Sequence, residues 1–190
     1  MGDLEDVLMK FSRIARDLGI EYTIVGGIAI IYHGVPRATM DIDCIVKADE
    51  KQLRELAKRM RGAGFFADED DLISMMKGDG HASIEDKETM MRLDMFAPKD
   101  EFGTISLAES LEVVIGNTTM RVASPETTIV SKLRFGSPQD IKDAEGIYGR
   151  LHETLDQNKL EKFAKMVGVR KELAALKKRV ERLLASGKED

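Results

Sequence analysis

Two adjacent glycines end an apolar run and are soon followed by two aspartates on alternate residues: Val25-Gly26-Gly27-Ile28-Ala29, then Arg37-Ala38-Thr39-Met40-Asp41-Ile42-Asp43-Cys44-Ile45-Val46. Lacking a Cβ, the glycines let the chain turn sharply between a short buried strand, Tyr22 to Val25, and one or two helical turns over Ile28 to His33. Backbone N–H groups with no partner inside such a helix start favour an anion. From Met40 to Val46 the period is two. Ile42, Cys44 and Val46 fall on one face of a strand, and Asp41, Asp43 and Ile45 on the other. Two carboxylates side by side on an exposed face repel, and a divalent cation neutralises them. An oxygen-only ligand set favours Mg²⁺ or Mn²⁺ over zinc. The stretch reads as a phosphate cradle beside a metal site.

The remaining pattern surrounds this stretch with helices and short hairpins. Asp3 to Leu18 is apolar at 4, 7, 8, 11, 14, 15 and 18, a helical period that stops at Gly19 and gives a cover for the first strand. Asp49 to Met60 is a second amphipathic helix closed by Gly62 and Gly64, followed by a strand or strand edge at Phe65-Phe66-Ala67. Asp68 to Lys77 is a short helix before the turn Gly78-Asp79-Gly80. His81 to Asp86 and Thr89 to Phe96 form a hairpin whose second strand sets Met91, Leu93 and Met95 against Arg92, Asp94 and Phe96. Pro98 breaks that strand, and the stretch to Glu109 has no clear pattern. A second hairpin follows, Leu111 to Ile115 and Thr118 to Ala123 about a Gly116-Asn117 turn.

Beyond Ala123 the sequence is helical. Ser124 caps a helix with Pro125 in its first position, running to about Phe135, and Gly136-Ser137-Pro138 opens the next, to about His152. Asp156 to Val167 and Val169 to Leu184 complete a helical tail. The pattern gives an α+β (α/β) fold class, with strands and flanking helices over residues 1–135 and a C-terminal helical region, residues 136–190, packed on them. In the last helix Val169, Leu173, Leu176, Val180 and Leu183 make a narrow apolar seam, suited to packing within the chain or to a homodimer contact. Lys171, Lys177, Lys178, Arg179 and Arg182 give it a basic face, more often a solvated surface than an RNA site.

Composition narrows the setting. At 190 residues and 43% hydrophobic content the chain can bury one core and a small appendage. Its single cysteine, Cys44, supports no disulfide framework, which points to a reducing compartment. The acidic, amphipathic N-terminus differs from a signal peptide, and no apolar run approaches the roughly 20 residues that span a bilayer, so a cytoplasmic protein without a membrane partner is expected. A net charge of −5 argues against broad nonspecific DNA binding but leaves room for a local basic patch that receives RNA or a nucleotide.

Gly26-Gly27, Arg37-x-Thr39-x-Asp41-Ile42-Asp43 and Asp94 within Met91-Arg92-Leu93-Asp94-Met95-Phe96 together resemble the polymerase β-type nucleotidyltransferase superfamily. The likeness is closer to its small bacterial and archaeal members, including the nucleotidyltransferase toxins of type IV toxin–antitoxin systems, and runs from about Asp3 to His152. The resemblance implies a nucleotidyltransferase fold, a short mixed β-sheet with flanking helices, in which the glycine turn holds an NTP triphosphate. It also implies that Asp41, Asp43 and Asp94 are the catalytic, Mg²⁺-binding carboxylates. Nucleotidyl transfer calls for such a set, because two cations about 3.5 to 4 Å apart clamp the attacking and leaving oxygens. Ser124-Pro125-Glu126 through Lys132 to Asp140-Ile141-Lys142-Asp143 resembles the helix-lysine and D-x-x-D pattern of the toxins, which implies that Lys132 meets phosphate and that Asp140 or Asp143 orients it. Where those relatives have a serine after the first glycine this chain has Gly27, so Thr39 either supplies the hydroxyl or none is present. The implied acceptor is a tRNA, a protein or a small molecule. A nucleotide-sugar glycosyltransferase and a noncatalytic, antitoxin-type binding partner are the competing readings.

Each residue also has a plain structural reading. Asp94 alone can be a strand carboxylate paired with Arg92 or Arg121. Arg37 can equally be a structural ion pair or a neutraliser of triphosphate. Lys132 can be a solvated helix lysine and Thr39 a strand former. With no second histidine or cysteine at ligand spacing, His33 has no zinc-site pattern, and His81 and His152 have weaker claims.

Overall fold

A computed structural model describes residues 3–78, 80–115 and 117–186. Their elements follow the sequence periods closely. Helix α1 spans Asp3–Asp17, strand β1 Glu21–Val25, α2 Gly26–Tyr32, β2 Asp41–Lys47, α3 Glu50–Gly62, β3 Phe65–Phe66 and α4 Glu69–Met76. Then come β4 Ala82–Asp86, β5 Arg92–Phe96, α5 Glu101–Ala108, β6 Leu111–Ile115 and β7 Thr118–Val122. The helical tail is α6 Pro125–Phe135, α7 Pro138–Leu151, α8 Gln157–Val167 and α9 Arg170–Ser186. Both expected hairpins are present as antiparallel pairs, β4 with β5 and β6 with β7. Gly116 of the second turn and Asp79 of the Gly78-Asp79-Gly80 turn lie outside the described residues.

The chain divides into two compact units, residues 1–28 with 38–123 and residues 29–37 with 124–190. This grouping differs from a division at residue 135. α6 packs most heavily on α7 and α8, so it falls with the helices that follow it, and the sheet unit ends at Ala123.

The first unit is built on a seven-stranded mixed sheet in the order β3-β4-β5-β2-β1-β7-β6. β1 runs antiparallel to β2 and parallel to β7, while β2 runs parallel to β5. Tyr22, Ile24, Ile42, Cys44, Val46, Leu93 and Met95 supply a buried apolar face. Phe11 of α1 meets Tyr22 edge to face at 5.1 Å between ring centroids, which places α1 on that side. The alternation of β2 and β5 sends their aspartates to the opposite side.

The helix α5 had no counterpart in the sequence pattern. Gly103, Thr104 and Ile105 are weak helix formers, and the segment lacks a polar stripe. Tertiary packing makes it a helix: Phe102 and Leu107 are buried, α5 packs on β1 and β2, and the Asp100 carboxylate accepts the Gly103 N–H at 2.8 Å.

In the second unit, Ser124 and Ser137 cap α6 and α7, each followed by a proline at the helix start. The apolar seam of α9 is spent within the unit: Val169, Leu173, Leu176 and Val180 are buried, while Leu183 and Leu184 toward its end are exposed. Its basic face is partly neutralised, with Lys177 Nζ 2.7 Å from Glu161 and Arg179 paired to Glu145. Among the described residues, no helix is long and apolar enough to cross a membrane.

Candidate active site

Parallel pairing of β2 with β5 sets Asp43 opposite Asp94, and Asp41 precedes Asp43 by one strand repeat. The result is a trio: ligand oxygens of Asp41, Asp43 and Asp94 lie within 4.8 Å of one another. Asp41 and Asp43 are half-buried and Asp94 is buried. No histidine or cysteine joins this group among the described residues. Cys44 points to the opposite, apolar face, where burial pushes its thiol well up, with the Asp43 and Asp94 charges adding to the effect.

Hydroxyl groups support two of the carboxylates. The Thr39 hydroxyl donates to Asp41 Oδ1 at 2.9 Å and also lies 3.2 Å from the Asp41 carbonyl. Ser83 Oγ donates to Asp94 Oδ1 at 2.5 Å, and Arg92 Nε lies 3.2 Å from Asp94 Oδ2. The ordinary reading of Asp94, a partner for Arg92, is thus present together with its place in the trio. Arg121 goes elsewhere, donating to Ser110 Oγ at 2.8 Å.

The diglycine is required by close approach. Gly26 has φ +61°, and a Cβ there would stand 2.1 Å from Asp43 Oδ2 and 2.9 Å from its Cγ. A Cβ on Gly27 would stand 2.6 Å from Thr39 Oγ1. Thr39 therefore fills the space that a side chain at 27 would enter, which accounts for Gly27 in this chain. An alanine at Gly26 adds a left-handed backbone cost of about 1–2 kcal/mol and must push Asp43 aside. Gly26→Ala is expected to lower the melting temperature and to weaken Mn²⁺ binding, measured by calorimetry and by electron paramagnetic resonance of free Mn²⁺. Unchanged Mn²⁺ affinity would show that the turn does not shape the site.

An oxygen-only trio of this spacing fits a hard divalent cation. Three carboxylates this close are otherwise mutually repulsive.

The second unit holds a separate charged cluster. Lys132 Nζ donates to Asp140 Oδ1 at 2.7 Å and lies 3.7 Å from Asp143 Oδ2. Arg37 donates to Asp143 Oδ2 as well, and Gln139 Nε2 donates to Asp143 Oδ1 at 2.8 Å. Asp140 divides its work: Oδ2 accepts from Ser137 Oγ at 2.6 Å and closes the cap of α7, while Oδ1 takes the lysine. Burial alone would raise the pKa of Asp140, but the Lys132 and Ser137 donors outweigh it and hold the carboxyl below its usual range. Lys132 is therefore a largely buried, paired cation, not a solvated one, and Arg37 is ion-paired with Asp143, a partner other than the nearby Asp41 and Asp43 that the sequence offered.

The histidines make other contacts. His33 is buried with Tyr32 edge-on at 5.3 Å, His81 stacks on Phe96 at 5.6 Å, and His152 Nδ1 lies 2.9 Å from the Gly149 carbonyl oxygen. Sequence reading missed Ser83 and Gln139. Ser83 was detectable only through the register of the β4–β5 hairpin, which sets it opposite Asp94, whereas Gln139 precedes Asp143 by one helical turn.

A mixed sheet with an aspartate pair on one strand and a third aspartate on its parallel neighbour defines a nucleotidyltransferase-type domain. The chain belongs to the family described as nucleotidyltransferase of unknown function (DUF6036), which it matches over residues 3–182. No curated protein matches it. Solved structures agree in fold. An antigenic nucleotidyltransferase-like protein from Paracoccidioides brasiliensis superposes with a TM-score of 0.59 at 18% identity, over 92% of this chain and 91% of that one. ANT(2″)-Ia in complex with adenylyl-2″-tobramycin gives 0.56 at 19% identity, over 89% and 99%. A putative nucleotidyltransferase from Thermotoga maritima gives 0.50 at 16%, over 80% and 96%. The polymerase β-type resemblance read from the sequence is therefore supported, and the family sets the glycosyltransferase reading aside.

Proposed function

We propose that the protein is an Mg²⁺-dependent (or Mn²⁺-dependent) nucleotidyltransferase that moves a nucleoside monophosphate from an NTP to an acceptor hydroxyl, with release of pyrophosphate. The observation that carries this reading is the convergence of Asp41, Asp43 and Asp94 oxygens within 4.8 Å. In the reaction the acceptor oxygen forms a bond to the α-phosphorus, the bond from that phosphorus to the bridging oxygen breaks, and pyrophosphate departs with the electron pair. A bound divalent cation would supply charge neutralisation on the phosphates and a lowered pKa for the acceptor hydroxyl.

The chain's own groups supply the rest. Asp41 and Asp43 would hold the cation from β2, and Thr39 fixes the Asp41 carboxylate by its 2.9 Å hydrogen bond. Asp94 completes the set from β5 and accepts the proton of the acceptor hydroxyl. Gly26 and Gly27 let the backbone pass close against Asp43 and Thr39, and the phosphate-holding role of the turn is what the family resemblance implies. For Arg37 and Lys132 a charge-offsetting role on the nucleotide rests on the resemblance alone, since Arg37 is paired with Asp143 and Lys132 with Asp140. Positioning and electrostatics then account for most of the rate.

The acceptor is a tRNA, a protein or a small molecule. ANT(2″)-Ia, solved with an adenylylated aminoglycoside, makes an aminoglycoside the first small molecule to try. The test is incubation with each of four α-³²P-labelled NTPs and Mg²⁺, against total tRNA, cell-extract protein and an aminoglycoside panel. One NTP should label one acceptor class with stoichiometric pyrophosphate. Absence of label with all four, while the protein still binds a neighbour-encoded partner, would favour the noncatalytic reading.

A further inference from the structure

Among the described residues, Ser83 and Arg92 offer donors to the Asp94 carboxylate, and the two differ in kind. Arg92 reaches Oδ2 at 3.2 Å from a side chain that is 54% exposed, so its pull is screened and its long chain is free to move. Ser83 reaches Oδ1 at 2.5 Å from β4, with a single rotatable bond, from the residue directly opposite Asp94 in the strand register. It is half-buried, and the backbone bonds of β4 to β5 fix its position. A carboxylate has about four acceptor positions, so one bond from each neighbour leaves lone pairs for a cation and for a proton.

We propose that Ser83 is a positioning residue for Asp94. Resting on the nucleotidyltransferase reading above, the proposal is that its hydroxyl locks the Asp94 carboxylate in the orientation that faces Asp41 and Asp43. Without that hydroxyl, the same carboxylate is free to turn toward the Arg92 guanidinium, whose forked donors match it bidentately. The trio would then be reduced to the β2 pair for much of the time. Thr39 holds the same relation to Asp41, so two hydroxyls, one before β2 and one on β4, fix two of the three ligands.

The test uses the full chain and two readouts. Mn²⁺ binding to nucleotide-free protein is followed by electron paramagnetic resonance, and transfer by the NTP-labelling assay. Loss of a group that orients a metal-ligating side chain typically weakens affinity or activity by about 10- to 100-fold. Ser83→Ala is therefore expected to raise the Mn²⁺ dissociation constant by about tenfold and to lower kcat by a similar factor. KM for the NTP and the melting temperature should stay near the wild-type values. Ser83→Thr keeps the hydroxyl and a strand-compatible shape, and should restore both quantities to within a few-fold.

Unchanged Mn²⁺ affinity and kcat in Ser83→Ala would overturn the proposal. So would a Ser83→Thr variant no better than Ser83→Ala, or a loss explained by a fall in melting temperature alone. Failure of the underlying reading would appear in the wild type, as absence of both Mn²⁺ binding and transfer. Failure of the Ser83 role would appear only in the variants.

Discussion

Replacing Asp41 or Asp43 with asparagine is expected to abolish NTP-dependent transfer while leaving the metal-free protein as stable as the wild type, or more so. The two expectations share one cause. Asparagine keeps the shape of the side chain but removes one of three negative charges gathered within 4.8 Å. Like charges about 5 Å apart cost roughly 1–3 kcal/mol per pair between water-like and partly buried surroundings, so their removal relieves the empty site. Cation-dependent transition-state stabilisation of about 4 kcal/mol would be lost with the ligand, equivalent to a rate about a thousandfold lower. Thermal unfolding without metal, Mn²⁺ binding and labelling from the preferred NTP measure the three effects. Full activity in both variants would remove the carboxylate–metal mechanism. Low activity accompanied by a large drop in melting temperature would mean that the aspartates serve the fold and not the chemistry.

The largest stability effect is expected at Asp143. The residue is 1% exposed, and its carboxylate takes donors from Arg37 and Gln139, with Lys132 Nζ 3.7 Å away. Asp143→Ala strands the Arg37 guanidinium without its anion and halves the negative charge around the mostly buried Lys132. Breaking a fully buried pair from one side typically costs about 3–5 kcal/mol; here Arg37 is part-exposed and Lys132 keeps Asp140, so the lower end of that range, about 3 kcal/mol, is expected. In a chain of this size that corresponds to a fall of about 6–12 °C in melting temperature. Asp143→Asn keeps an acceptor for Gln139 and should lose less. The cycle with Arg37→Met isolates the pair: Asp143→Ala should cost much less in that background. Urea unfolding that shows under about 1 kcal/mol for Asp143→Ala would demote the cluster to an ordinary surface ion pair.

Much of the architecture was legible because the relevant signals are local. Period-two alternation in Asp41 to Val46 put carboxylates and apolar side chains on opposite faces of one strand, and β2 shows that arrangement. The Ser124-Pro125 and Ser137-Pro138 pairs marked helix starts that the structure places within a residue of expectation. The α5 segment resisted the same treatment, since its helix depends on packing against β1 and β2 and carries no amphipathic stripe. The boundary of the sheet unit was likewise hidden: whether α6 groups with the strands or with α7 is decided by packing between helices, which leaves no periodic mark in a sequence.

The candidate site divides in the same way. Asp41, Asp43, Gly26 and Gly27 were identified by spacing and residue type alone. The reason for Gly27 came only from the folded geometry, where Thr39 Oγ1 stands 2.6 Å from a hypothetical Cβ. Arg37 and Lys132 were ambiguous as single cations, and their shared carboxylate Asp143 answers what holds them.

Sequence by itself determined which residues carry charge, which segments form strands and helices, and which strand face each aspartate occupies. These follow from backbone periodicity and from the stereochemistry of glycine and proline, properties of a few consecutive residues. Tertiary structure alone decided that β5 lies parallel to β2 in the register that sets Asp94 against Asp43, and that Ser83 stands opposite it. Strand order and register come from the packing of distant segments around a common core, so no local pattern can specify them.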